Sequence, residues 1–208
     1  MPISRRMLLA AIPAIALPVS VSMRPARAED LRLTERAIGN PKAPVHVHEW
    51  FSLTCTHCAH YQMTVFPEVK TKLIDTGKIL YVYHDFPLDQ TALLASMVAR
   101  SLPVDRYEPF INTVLSSLDR WAFSPDGQPK DPKVGLKQIA ALAGISSAQF
   151  DKIDQDETLR QAIVTQAGDD GTKYNIQGTP FFRFNNIPFT EELSSYAAFE
   201  EQVKKAAG

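Results

Sequence analysis

The chain has 208 residues, with 22 Lys and Arg against 23 Asp and Glu and a formal net charge of −1. That balance, without any basic tract, argues against a nucleic-acid binder. Two cysteines are too few for a disulfide scaffold, so the fold has to rest on a hydrophobic core, which a chain of this length can bury.

In chain order, residues 1–28 read as a cleaved secretory signal. Arg5 and Arg6 start it, Met7–Met23 form its apolar core, and Ala26–Ala28 place the expected cleavage before Glu29. Ser4–Leu9 also resembles a twin-arginine signal, so the export route stays open. An uncleaved anchor is the weaker alternative. The apolar run is shorter than the roughly 20 residues of a spanning helix, and Pro13 and Pro18 interrupt it. Without residues 1–28 the chain loses four arginines and no acid, which leaves a formal charge of −5. Export would place both cysteines in an oxidising compartment.

Val45–Phe51 alternates as a strand, with Val45, Val47, Glu49 and Phe51 on one face and His46, His48 and Trp50 on the other. Thr54 is the expected N-cap of a helix carrying Cys55 and Cys58, kinked at Pro67 and ended by Gly77. Lys78–Phe86 is the next strand, which completes a βαβ unit. About 80 residues of helical spacing follow, divided by a Pro/Gly-rich break at Ser124–Lys133. Strand signals return at Phe181–Asn186 and Ile187–Thr190. A last helix after Ser194 or Ser195 carries Phe199, Val203 and Ala206 on one stripe. The fold class is therefore α/β, with an all-α insertion.

Cys55-Thr56-His57-Cys58 could hold zinc, staple a loop or carry redox chemistry. Zinc needs four converging ligands, and on a helix His57 and His60 diverge from the cysteine face. A bridge closing four residues adds only about 2 kcal/mol of chain entropy. At a helix start, the orphan N–H groups and the dipole favour a thiolate that both attacks and leaves readily, and a charged His57 would add to that. Glu49 interrupts an apolar face, either as a locally satisfied acid or as a proton acceptor beneath the cysteines whose pKa burial raises. In Gln177–Phe182, Pro180 precedes a strand; the Thr179–Pro180 bond could be an ordinary turn or a cis bond. The five histidines fall within 39 residues, where packing or surface roles outweigh a metal site.

Glu49–Cys58, Tyr83–Asp89, Gln177–Phe182 and the helical insertion together resemble the DsbA-like branch of the thioredoxin superfamily, from about Ala43 to Ala207. The resemblance implies a thioredoxin fold, with residues 29–88 and 173–208 forming the parent domain and 89–172 the helical insert. It implies an exposed nucleophile at Cys55, a buried resolving Cys58, a buried proton-transfer acid at Glu49, and a cis-proline loop at Thr179 and Pro180 that pairs with an extended substrate. Val82 is apolar where some relatives carry a basic residue, so the partner of Glu49 stays open. Thr179 also occurs before the proline in disulfide isomerases. The expected function is a monomeric periplasmic thiol:disulfide oxidoreductase, without cofactor or metal. It would donate disulfides to reduced exported proteins and be reoxidised by a membrane quinone-linked oxidase. The alternatives are an isomerase or reductase on the same fold, and a binding module, such as a chaperone or metal carrier, with an incidental Cys pair.

Overall fold

The structure is a computed structural model that describes residues 30–123, 131–191 and 193–208. The expected signal, residues 1–28, lies outside the described residues, as does most of the Pro/Gly-rich break, residues 124–130. Strands β1 (Arg36–Gly39), β2 (Val45–Phe51), β3 (Ile79–Asp85), β4 (Phe181–Phe184) and β5 (Ile187–Phe189) form one mixed sheet in the order β1-β3-β2-β4-β5. β2 and β3 run parallel, as their helical crossover requires, and the other neighbours are antiparallel. β2 therefore sits at the centre of the sheet, covered on both faces.

The crossover is broken rather than one kinked helix. α1 (Thr56–Thr64) stops before Pro67, α2 (Phe66–Val69) carries the proline in its first turn, and Lys70–Ile74 close as a π-helical turn. Gly77 then turns the chain at φ 73, a backbone shape that a side chain would strain. Between β3 and β4 come α3 (Gln90–Arg100), α4 (Val104–Ser116), α5 (Leu118–Trp121), α6 (Pro132–Leu142), α7 (Ser147–Asp154) and α8 (Glu157–Tyr174). Helix α9 (Tyr196–Ala207) starts at the Ser195 cap and buries Phe199 and Val203.

On the Glu49 face of the sheet, Phe51, Tyr61, Phe66, Tyr81, Tyr83, Phe182, Phe184 and Phe199 build an aromatic core. Each large apolar side chain buried there contributes about 1.5–3 kcal/mol. On the other face Trp50, Ile176 and Phe181 pack together, and the Trp50 indole N–H donates to Asp170 Oδ2 of α8 at 2.8 Å. That bond fixes α8 against the central strand. α8 ends at Asn175 in the left-handed region (φ 53), which turns the chain into the loop before β4.

β1 carries no strand signal in the sequence, yet it pairs with β3 along the sheet edge. Arg36 is only 2 % exposed; its Nη2 donates to the Arg100 carbonyl and its guanidinium lies over the Tyr107 ring. No described helix is long and apolar enough to cross a membrane.

Candidate functional site

The first helical turn after β2 places the two sulfurs. Cys55, not Thr54, is the N-cap of α1: its sulfur accepts the Cys58 backbone N–H at 3.4 Å. Thr54 instead donates its hydroxyl to Asp89 Oδ2 at 2.6 Å. A sulfur at the cap meets the orphan N–H groups and positive end of the helix more directly than one inside the first turn. Cys55 is partly exposed, Cys58 is fully buried, and both are free thiols.

Their acidities diverge accordingly. The Cys55 thiol is lowered to about 5, first by the hydrogen bond from the Cys58 side chain and further by the Thr179 side chain and the Cys58 and His57 backbone N–H groups, against the opposing effect of burial. The Thr179 hydroxyl is buried and makes no regular hydrogen bond, so its effect on the sulfur is weaker than that of a well-formed bond. Burial pushes Cys58 well above the usual thiol value, and the charges on Cys55 and Glu49 add to it. One sulfur is a thiolate at neutral pH and its partner holds its proton.

Glu49 lies beneath the pair, 2 % exposed. Burial raises it to about 8, with a smaller increase from Cys55 and a lowering from the Tyr81 hydroxyl, which donates to Glu49 Oε2 at 2.8 Å. Tyr81 thus fills the open place of a partner. Val82 pairs with His48 and so belongs to the other face of the sheet, whereas Tyr81, opposite Val47, shares the face of Glu49. The sequence offered little sign of this, because a tyrosine in a strand reads as an ordinary β-former.

The Thr179–Pro180 bond is cis. The loop brings the Thr179 carbonyl to 3.2 Å from Cys55 Sγ, where it accepts the S–H when that sulfur is protonated. Beside the sulfur, His57, Gln177, Gly178, Thr179, Pro180 and Leu193 help to line a groove of about 420 Å³. His57, Thr179 and Pro180 therefore meet at the groove beside Cys55, with Cys58 and Glu49 buried behind it, although these residues span more than 130 positions of sequence.

The remaining histidines behave differently. His48 Nδ1 and His84 Nε2 meet at 2.9 Å on the far face of the sheet, and His84 stacks on Trp50 at 4.3 Å between ring centroids. Among the described residues, no three His, Cys, Asp or Glu side chains gather as a metal site would require. A larger cavity of about 680 Å³, lined in part by His84, Asp85 and Arg100, opens away from the thiols.

A partly exposed thiolate, a buried thiol and a buried acid facing a proline loop have the chemistry of a thiol–disulfide exchange site. The chain belongs to the thioredoxin family: the family model described as Thioredoxin matches residues 32–205. Within that family it is similar to DsbA proteins. Wolbachia pipientis alpha-DsbA1 superposes with a TM-score of 0.75 at 29% identity, over 85% of this chain and 92% of that one. A Rickettsia felis protein named "Putative protein-disulfide oxidoreductase" is 31% identical over 179 residues, 83% of this chain and 63% of that one. A Rickettsia typhi relative of the same description is 32% identical, over 77% of this chain and 57% of its own length. The chain thus spans about three-fifths of these curated relatives. Oxidised BdbD from Bacillus subtilis shares the thioredoxin-like fold at a TM-score of 0.69 and 19% identity, over 83% of this chain and 92% of that one.

Proposed function

We propose that this protein is an exported thiol:disulfide oxidoreductase that donates its Cys55–Cys58 disulfide to reduced proteins. The observation that carries this reading is the unequal pair: Cys55 held as a thiolate at the surface, with Cys58 buried and protonated beside it. A substrate thiolate attacks Cys55 Sγ, the Cys55–Cys58 bond breaks, and its electron pair leaves on Cys58 Sγ, which takes a proton from the Glu49 carboxyl. A second substrate thiolate then attacks the substrate sulfur of the mixed disulfide. A substrate disulfide forms and Cys55 departs as a stable thiolate.

Departure is favoured because the leaving group has low basicity. Set against an ordinary thiol at 9.0, the Cys55 thiolate near 5 favours the reduced protein by up to about 100-fold at pH 7, or roughly 60 mV. In this reading the groove beside Cys55 receives an extended substrate whose backbone pairs with Thr179, a form of β-augmentation. Pro180 supports that loop, and His57 covers the mouth. The helices between β3 and β4 form an insert over residues 89–172, and the protein works as a periplasmic monomer reoxidised by a membrane quinone-linked oxidase.

The test is the reduction potential in glutathione buffers, with trapping of mixed disulfides on C58A. A potential well above that of thioredoxin, about −270 mV, and adducts on Cys55 are expected. A potential at or below that value would remove the donor role.

A further inference from the structure

We infer that Tyr81, backed by Tyr61, is a positioning residue that keeps the Glu49 carboxyl ionisable and thereby sets the pH range over which Cys58 exchanges its proton. The inference rests on the proposed use of Glu49 as the proton partner of Cys58.

Tyr81, Tyr61 and Glu49 are each 2 % exposed or less. The Tyr81 hydroxyl lies 2.8 Å from Glu49 Oε2 and 3.2 Å from the Tyr61 hydroxyl. A phenol has one proton to give. When Tyr81 donates to the carboxylate, the Tyr61–Tyr81 contact has to run the other way, with Tyr61 donating to Tyr81. The result is a directed chain, Tyr61 to Tyr81 to Glu49, in which each donated O–H polarises the next. Its three members come from α1, β3 and β2, and Tyr61 lies one turn beyond Cys58. The elements that carry the sulfurs and the acid therefore also carry the chain.

The surroundings explain why a neutral donor matters. The site is walled by Phe66, Phe182 and Phe199 from α2, β4 and α9. The ionisable groups facing the chain are Cys55 and Cys58 on α1 and Tyr83 on β3, with Glu108 and Tyr107 of α4 acting on Tyr83 from behind. All of these are acids, so each one that ionises opposes a charge on Glu49. The Tyr81 hydroxyl is the group that favours it. When the disulfide opens, Glu49 gives its proton to Cys58 Sγ and becomes the anion. Tyr81 is already oriented to receive that charge without any rearrangement of the site.

The experiment compares the wild type with Y81F and Y61F. The Glu49 carboxyl is followed by ¹³C NMR in the reduced protein and assigned by its absence in E49Q. In parallel, the pH profile of release from a mixed disulfide with a model thiol is recorded. Loss of a hydrogen bond to a charged group should raise the Glu49 midpoint in Y81F by about one to two pH units. Y61F should shift it in the same direction by less, and both release profiles should move with the midpoints. A purely structural role for Tyr81 would slow release at every pH without moving either midpoint. An unshifted or lowered midpoint in folded Y81F overturns the inference; if Y81F does not fold, the direction of the Y61F shift decides in the same way. Shifted midpoints in a protein that oxidises no substrate thiol would refute the donor reading and leave the tyrosine chain standing. Intact oxidation with unshifted midpoints would do the reverse.

Discussion

Replacing Cys58 with alanine removes the largest contribution to the acidity of Cys55, the hydrogen bond from the Cys58 side chain. Hydrogen bonds to charged groups contribute about 1.5–3 kcal/mol, and one pH unit corresponds to about 1.4 kcal/mol. The Cys55 midpoint should therefore rise from about 5 to roughly 6–7. It should not return to 9.0, because the backbone N–H groups of Cys58 and His57 still point at the sulfur. Thiolate absorbance near 240 nm and the rate of alkylation by iodoacetamide report this across pH 3–9. At pH 5 the variant should alkylate about 5- to 50-fold more slowly than Cys55 in the wild type, from the thiolate fractions alone. At pH 8, where both are ionised, the variant should be the faster, since nucleophilicity rises with basicity. A midpoint unchanged within a few tenths of a unit would refute the assignment and leave the helix N-terminus as the dominant cause. A return to about 9 would show that the backbone donors contribute nothing.

Four further outcomes follow from the same structure. Because the Cys55 pKa is depressed on folding, its thiolate adds stability above the unfolded value of 9.0 that is lost as the pH falls through about 5. At pH 7 the two-unit gap gives at most about 2.7 kcal/mol, and roughly half of that after solvent screening of a partly exposed group. Urea unfolding of the reduced wild type minus that of C55A should therefore lose about 1–3 kcal/mol between pH 7 and pH 4, and a constant difference would contradict the shift. Substituting Arg100 with methionine leaves the buried Asp85 carboxylate with the Tyr107 hydroxyl alone among its bonded partners; about 3 kcal/mol of stability should be lost in thermal or urea unfolding. A Cβ at Gly135 would stand 2.7 Å from Trp121 Cβ and 2.9 Å from its Cα, so G135A should destabilise by about 1–3 kcal/mol. Gly168 has open space around it, so G168A in the same assay should gain up to about 1 kcal/mol from helix propensity.

What was legible in the sequence had a periodic cause. The β2–α1–β3 crossover showed itself because alternation and helical spacing are local properties of the chain. Glu49 stood out because a charge interrupted an apolar face, and its burial followed from that face being covered. β1 was not legible: Arg-Ala-Ile-Gly has little strand propensity, and it forms a strand because β3 offers an unpaired edge and Arg36 finds the Arg100 carbonyl and the Tyr107 ring. The helix cap was misplaced by one residue because Thr is the commoner capping side chain, while here the Asp89 carboxylate engages the Thr54 hydroxyl. Tyr81 was missed for a related reason. Val82 lies on the other face of β3, and the register that places Tyr81 beside Glu49 exists only once the strands pair.

The pleat of β2 has a practical consequence for redesign. Consecutive residues, Glu49 and Trp50, point to opposite sides of the central strand: the acid towards the tyrosines and α1, the indole towards Asp170 of α8. The proton chemistry and the anchoring of α8 are therefore separate modules that share one backbone. The far side, with His84, Asp169 and the larger cavity beneath α8, can be re-engineered for a new ligand or partner while the acidity of the sulfurs is left to the other face. Changes of redox character belong to Glu49, Tyr81 and the cap of α1, and leave the Trp50–Asp170 bond that anchors α8 untouched.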